Sequence, residues 1–182
     1  MASESADTAM PPPTEHALVA LARQAIVHYL RTGAYLDCSA ELAAAWQRAA
    51  GAFVSLTQRG ALRGCVGTCT PTQLHLGQEI IHNAVAAACA DPRFAPVALD
   101  DLEEIDICVD VLTASEPVES DAQLDPKRYG VIVRAGTRGG VLLPDIPQVT
   151  TAEQQLAVAR RKAGIRPDEA VEIYRFEVMR FH

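Results

Sequence analysis

No stretch of the 182-residue chain comes near the roughly 20 consecutive apolar residues that a membrane-spanning helix needs. Basic residues are also short, with 16 Lys and Arg against 23 Asp and Glu and a net charge of −7. That balance lacks the positive footprint of a nucleic-acid binder and gives an anionic lipid surface nothing to attract. The N-terminus has no basic segment leading into an apolar one, so no secretory leader is read and a cytoplasmic location is expected. CxxC pairs are absent, and the five cysteines (Cys38, Cys65, Cys69, Cys89 and Cys108) are odd in number and irregularly spaced. They are expected to be reduced thiols rather than a disulfide framework. The five histidines make no Cys/His zinc pattern. Neither GxGxxG nor a glycine-rich loop ending in Lys-Ser/Thr occurs, so nucleotide binding has no motif behind it. No metal and no cofactor are expected.

What is present is the composition of an ordinary globular protein, 49% hydrophobic and 21% charged. The length suits one domain, or one domain carrying a smaller lobe. Residues 1–15 are rich in Ala, Ser and Thr, contain Pro11, Pro12 and Pro13, and read as a flexible tail. From His16 onward Leu18, Leu21, Ala22, Ala25, Ile26, Tyr29 and Leu30 recur at helical spacing, with Thr14 as a candidate cap and Gly33 as a stop. Ser39 opens a possible short helix over residues 41–50, with Trp46 turned inward. Residues 53–58 and 62–68 read as paired strands around a glycine turn. Residues 74–90 read as a helix with Leu76, Ile80, Ala84, Val85 and Ala88 on one side, ending before Asp91-Pro92. Strict alternation over 104–113 marks a strand, and residues 115–123 a polar loop. A second hairpin follows over 129–134 and 140–143, then a helix over 151–163 stopped by Gly164, then a strand over 171–181. This order predicts an α+β fold with a mainly antiparallel sheet flanked by about three helices.

The chemically suggestive stretch is Leu62-Arg63-Gly64-Cys65-Val66-Gly67-Thr68, a cysteine between two glycines. Gly64 and Gly67 permit close approach of a ligand or of another backbone. Two readings stand side by side. Cys65 is a nucleophile whose thiolate Arg63 stabilises from two positions away, with Thr68 as a local donor, or it is an inert thiol beneath a glycine-rich loop. A glycine bulge at Gly64 would break the strand parity that puts Arg63 and Cys65 on one face. Arg93, just past a helix, either caps that helix or joins Arg63 as a guanidinium fork for an anion. His75, Glu79 and His82 share one helical face, which reads as a solvated stripe ahead of a metal site or a base–acid pair.

The heptad resembles the LRGCIGT signature of the AMMECR domain family, whose bacterial and archaeal members are called AmmeMemoRadiSam system protein A. The blocks DPRF (91–94), EIDICVDVLT (104–113), DPKRYGVIV (125–133), GVLLPD (140–145), RKAGI (161–165) and EIYRFEV (172–178) resemble family segments in family order. The resemblance runs from about His16 to the C-terminus, so residues 16–182 are taken as one such domain. It implies an α+β domain with a smaller lobe beside the main sheet, and a site at the motif with Cys65 at its centre. It also implies partnership with a Memo-like protein and a radical S-adenosylmethionine enzyme. An adaptor that holds a partner protein or a small anionic ligand is the alternative to an enzyme, and it predicts an exposed patch around Phe94, Leu142 and Pro144.

Overall fold

A computed structural model describes residues 15–38 and 47–182. The expected N-terminal tail with Thr14, and most of the helix expected after Ser39 with Trp46, lie outside the described residues. Residues 47–50 are described and are not helical. Helix α1 (Ala17–Thr32) starts at His16, whose ring nitrogen accepts from the Leu18 N–H, and stops at Gly33 with φ of 73°. Its stripe of Leu18, Leu21, Ala22, Ala25 and Ile26 is buried as the spacing predicts.

Strands β1 (Ala52–Gln58), β2 (Ala61–Thr68) and β3 (Ile105–Leu112) form one antiparallel sheet with the C-terminal strand β8 (Val178–Phe181), in the order β2-β1-β3-β8. One face of this sheet presents Ala52, Val54, Leu56, Ile107, Val109 and Val111. Helix α2 (Leu76–Cys89) and α1 cover that face, with Ile80, Ile81, Ala84 and Ala87 inward from α2. Burial of each such Val, Leu or Ile side chain contributes about 1.5–3 kcal/mol.

A second antiparallel sheet, in the order β4-β7-β5-β6, is built from β4 (Glu116–Pro117), β5 (Gly130–Ala135), β6 (Arg138–Leu142) and β7 (Glu172–Phe176). Helix α3 (Ala152–Lys162) packs on its outer face, where Val131, Val133 and Leu142 meet Leu156 and Ala159. The inner face meets the first sheet through Ile132, Tyr174, Phe176 and Val141 against Phe53, Leu112 and Val178. The layers therefore run helices, sheet, sheet, helix.

Two further sequence expectations change. The strand expected over 171–181 is two strands, β7 in the second sheet and β8 in the first, with the break at Glu177. The Glu177 N–H donates to Thr113 Oγ1 at 2.9 Å, and the Thr113 N–H donates to the Glu177 carbonyl at 3.0 Å. Alternation reports an extended chain but not which sheet it joins. The segment expected to be a loop over 115–123 contains β4 and a short 3-10 turn at Asp121–Gln123.

Helix α2 crosses β2 at Gly64, where a Cβ would collide with the Ala87 carbonyl. That oxygen belongs to helix backbone and cannot swing aside. Gly64→Ala is expected to destabilise the fold by about 3 kcal/mol, the upper end of the usual cost of overpacking, measured as a lowered urea midpoint with an unchanged slope.

Candidate functional site

Residues opposite one another in an antiparallel pair share a face. Val54 pairs with Val66, and Ala52 with Thr68, so Val66 and Thr68 lie on the helix-covered side. Cys65 pairs with Ser55, and Ser55 with Cys108 on β3, so these three form a row on the other side, the face turned toward the second sheet. Two residues along, Gly67, Phe53, Asp110 and Arg180 form the next row. Phe53 already belongs to the contact between the sheets. The Cys65 row lies just past that contact.

Cys65 is partly buried and held at three points. Its Sγ accepts from Ser55 Oγ at 3.2 Å. Its N–H donates to Asp91 Oδ2 at 2.9 Å, and its carbonyl accepts from Arg93 Nη2 at 3.3 Å. Strand β2 is an edge of its sheet, so both backbone groups point where a neighbouring strand would be. Asp91 and Arg93 fill that role as a pair, joined by Nη2–Oδ2 at 2.7 Å and Nε–Oδ1 at 3.0 Å. Arg93 beside Asp91, helped by the Cys65 N–H, holds the buried Asp91 carboxyl well below the usual carboxylate range.

Each sequence-proposed residue has a definite place. Arg93 neither caps α2 nor forks with Arg63; it clamps Asp91 and lies 5.2 Å from the Phe94 ring centroid. Arg63 is the extra residue of a bulge, because Leu56 pairs with Gly64 and Thr57 with Leu62. Its guanidinium donates to the carbonyls of Ala95 at 2.6 Å and Pro96 at 3.2 Å. The structure does not bring Thr68 to the sulfur: its hydroxyl is on the helix side and donates to Glu79 Oε1. Gly64 lets α2 approach, and Gly67 lies beneath the Phe53 ring, where a Cβ would overlap it.

The stripe of His75, Glu79 and His82 is not a solvated one, because Glu79 is 1% exposed. Besides Thr68, its carboxylate accepts from Thr72 N–H at 2.7 Å, Thr72 Oγ1 at 3.0 Å and Gln73 N–H at 2.8 Å. This satisfies a charge that burial would otherwise make costly. His82 stacks on Tyr35 at 4.3 Å. Among the described residues, no group of three or more His, Cys, Asp or Glu side chains is arranged to hold a metal ion. The patch expected around Phe94, Leu142 and Pro144 is not on the surface, since Leu142 and Pro144 are buried.

Sequence reasoning missed the companions of Cys65. Asp110 is 3% exposed and paired with Arg180 through Nε–Oδ1 at 2.8 Å and Nη2–Oδ2 at 3.0 Å. Cys108 Sγ lies 3.9 Å from Asp110 Oδ1, and burial together with that carboxylate pushes the Cys108 thiol up to about 11. Burial also pushes Cys69 up to about 11. The alternation of β3 does set Cys108 and Asp110 on the face opposite its apolar residues; what it does not carry is the register that brings them beside Ser55 and Cys65.

A family model, AMMECR1, matches residues 19–181. The chain belongs to the AMMECR1 family. A Thermotoga maritima protein is 49% identical over 170 residues, covering 92% of this chain and 98% of its own length. A Clostridium acetobutylicum protein is 43% identical over 164 residues, and this chain spans only 35% of that protein's length. The crystal structure of the uncharacterised protein PH0010 from Pyrococcus horikoshii superposes with a TM-score of 0.82 at 34% identity, over 90% of this chain and 88% of that one. No described helix is long and apolar enough to cross a membrane.

Because the folded Asp91 carboxyl titrates below its unfolded value of about 3.9, the stability it contributes is complete above that value. It is lost as pH falls through the folded one. The stability difference between the native protein and Asp91→Asn, from urea unfolding, is therefore expected to hold steady from about pH 7 to about pH 5 and to shrink below about pH 4. Glu79→Ala strands the Thr72 and Gln73 amides and is expected to cost about 3 kcal/mol by the same measurement.

Proposed function

We propose that this AMMECR1-family protein is one component of a multi-protein system, beside a Memo-like protein and a radical S-adenosylmethionine enzyme, and that its working site is the thiol face around Cys65. The partners follow from the resemblance of the LRGCVGT block and the six blocks after it. The site rests on one observation, the partly buried Cys65 whose sulfur accepts from Ser55 while its peptide is fixed on both sides by Asp91 and Arg93. In this reading Cys65 is the nucleophile, and Ser55 donates to its sulfur as negative charge develops there. Asp91, Arg93, Arg63 and Thr68 are positioning residues. The first two set the Cys65 peptide, Arg63 anchors the following segment, and Thr68 ties the end of the motif to α2. Gly64 and Gly67 keep β2 close to its neighbours on the two faces.

A second reading, a non-catalytic module that binds a partner or ligand with the same face, draws on two observations. Among the described residues Ser55 is the hydrogen-bond partner of the Cys65 sulfur, and no imidazole stands there as a base. In the Clostridium relative, the matching segment is the smaller part of a longer chain, as befits a module used beside other units.

Alkylation of the folded protein with iodoacetamide at pH 8, followed by peptide mass spectrometry, separates the two. Cys69 and Cys108, pushed up to about 11, are thiolate to only about one part in a thousand at that pH. The nucleophile reading expects Cys65 to be labelled first and Ser55→Ala to slow it several-fold. Labelling of Cys65 only on unfolding would remove covalent chemistry and leave the binding module.

A further inference from the structure

A separate cleft lies where β1 begins and β2 ends, lined by Gly51 before β1, by Cys69, Thr70 and Pro71 after β2, and by the chain leaving β3 as far as Ser115. Its volume is about 440 Å³, within the range of small-ligand sites. Arg48 stands at its edge, exposed, with no hydrogen-bond or ion-pair partner for its guanidinium among the described residues. The backbone carrying it is fixed, since the Arg48 carbonyl accepts from the Leu76 N–H at 3.2 Å and the preceding Gln47 carbonyl lies 3.3 Å from His75 Nδ1. The hydroxyls of Thr70 and Ser115 are exposed and uncommitted, whereas that of Thr113 is taken by the Glu177 N–H. None of the described side chains lining the cleft is a carboxylate, in a chain of net charge −7.

Two further cations act on Cys69, one of the residues lining the cleft. Lys162, at the end of α3, donates to the Val141 carbonyl at 3.2 Å, and Arg134 on β5 lies over the Tyr174 ring at 5.2 Å. Neither has a carboxylate within ion-pair distance among the described residues, although Glu172 is the cross-strand neighbour of Arg134. Both charges act on Cys69, which packs into the contact between the sheets. Positive charge at a roomy cleft with no carboxylate among its described lining residues is an arrangement that an anion completes.

We propose that this cleft binds a small anion through a carboxylate or phosphate group, with Arg48 as its charged ligand and the Thr70 and Ser115 hydroxyls as further donors. The assignment does not depend on any role for Cys65. Arg48 holds the anion, and Lys162 and Arg134 add positive potential on the Cys69 side. The cleft is open, so affinity is modest and falls with added salt.

The test is a titration of the isotope-labelled protein with inorganic phosphate and, separately, with acetate, at constant ionic strength, followed by amide NMR. Saturable shifts are expected at Gly51, Thr70 and Ser115, and the anion that saturates at lower concentration names the preferred group. Arg48→Gln is expected to weaken that binding at least tenfold. Because Arg48 is exposed, the remainder of the variant's spectrum should stay in place and report an intact fold. Ser115→Ala, also at the surface, is expected to weaken binding several-fold. The proposal is overturned if neither anion gives saturating shifts there, if Arg48→Gln binds as well as the native protein, or if the shifts centre on Cys65 and Arg93.

Discussion

The Asp91 carboxylate is shared between the Arg93 guanidinium and the N–H of Cys65, and the geometry of the motif depends on that sharing. An edge strand leaves alternate peptide groups without partners. At Cys65 both groups are met, the N–H by Asp91 and the carbonyl by Arg93, so a salt-bridged pair substitutes for a missing strand. Arg63 extends the same joint by holding the carbonyls of Ala95 and Pro96. Two sequence blocks separated by a whole helix become one unit.

Helix α2 sets the span of that unit. It lies on β2 at Gly64, near its end at Cys89, and delivers Asp91 two residues later. Near its start, Glu79 draws in Thr68, Thr72 and Gln73, and Asn83 donates to the Ala52 carbonyl at 2.9 Å. The helix thus grips both ends of the motif strand from behind. The opposite face is left to Cys65, Ser55 and Cys108, with Asp110 and Arg180 alongside. A heptad that looks like one chemical string is divided by the pleat into a structural face and a thiol face.

Much of the scaffold was legible because it obeys periodic rules. The α1 stripe, the alternation of β3 and the glycine stops at Gly33 and Gly164 need only local physics. The α+β class followed from their order. Other features depended on pairing that sequence does not carry. Residues 171–181 read as one strand, yet the two sheets divide them at Glu177. Glu79 sat on a helix face with His75 and His82 and read as solvated, because partners that make a buried carboxylate tolerable come from a loop rather than from its own helix. Cys65, Gly64, Gly67, Arg63, Arg93 and Thr68 were all picked out. Their joint arrangement was not, since a bulge at Arg63 shifts strand parity and Arg93 chooses Asp91 over Arg63. Ser55 and Arg180 carried no signal, being ordinary polar residues of strands until register sets them beside Cys65 and Asp110.

The most direct test of this account is hydrogen exchange at the single amide of Cys65. If Asp91 replaces a neighbouring strand, that amide is protected in the native protein to a degree like the paired amides of Val54 and Val66. It then loses at least tenfold of its protection in Asp91→Asn, while theirs persists. If the Cys65 amide exchanges in the native protein as fast as an open edge amide, or is unmoved by the substitution, the Asp91–Arg93 pair does not hold the motif and the account of the site fails.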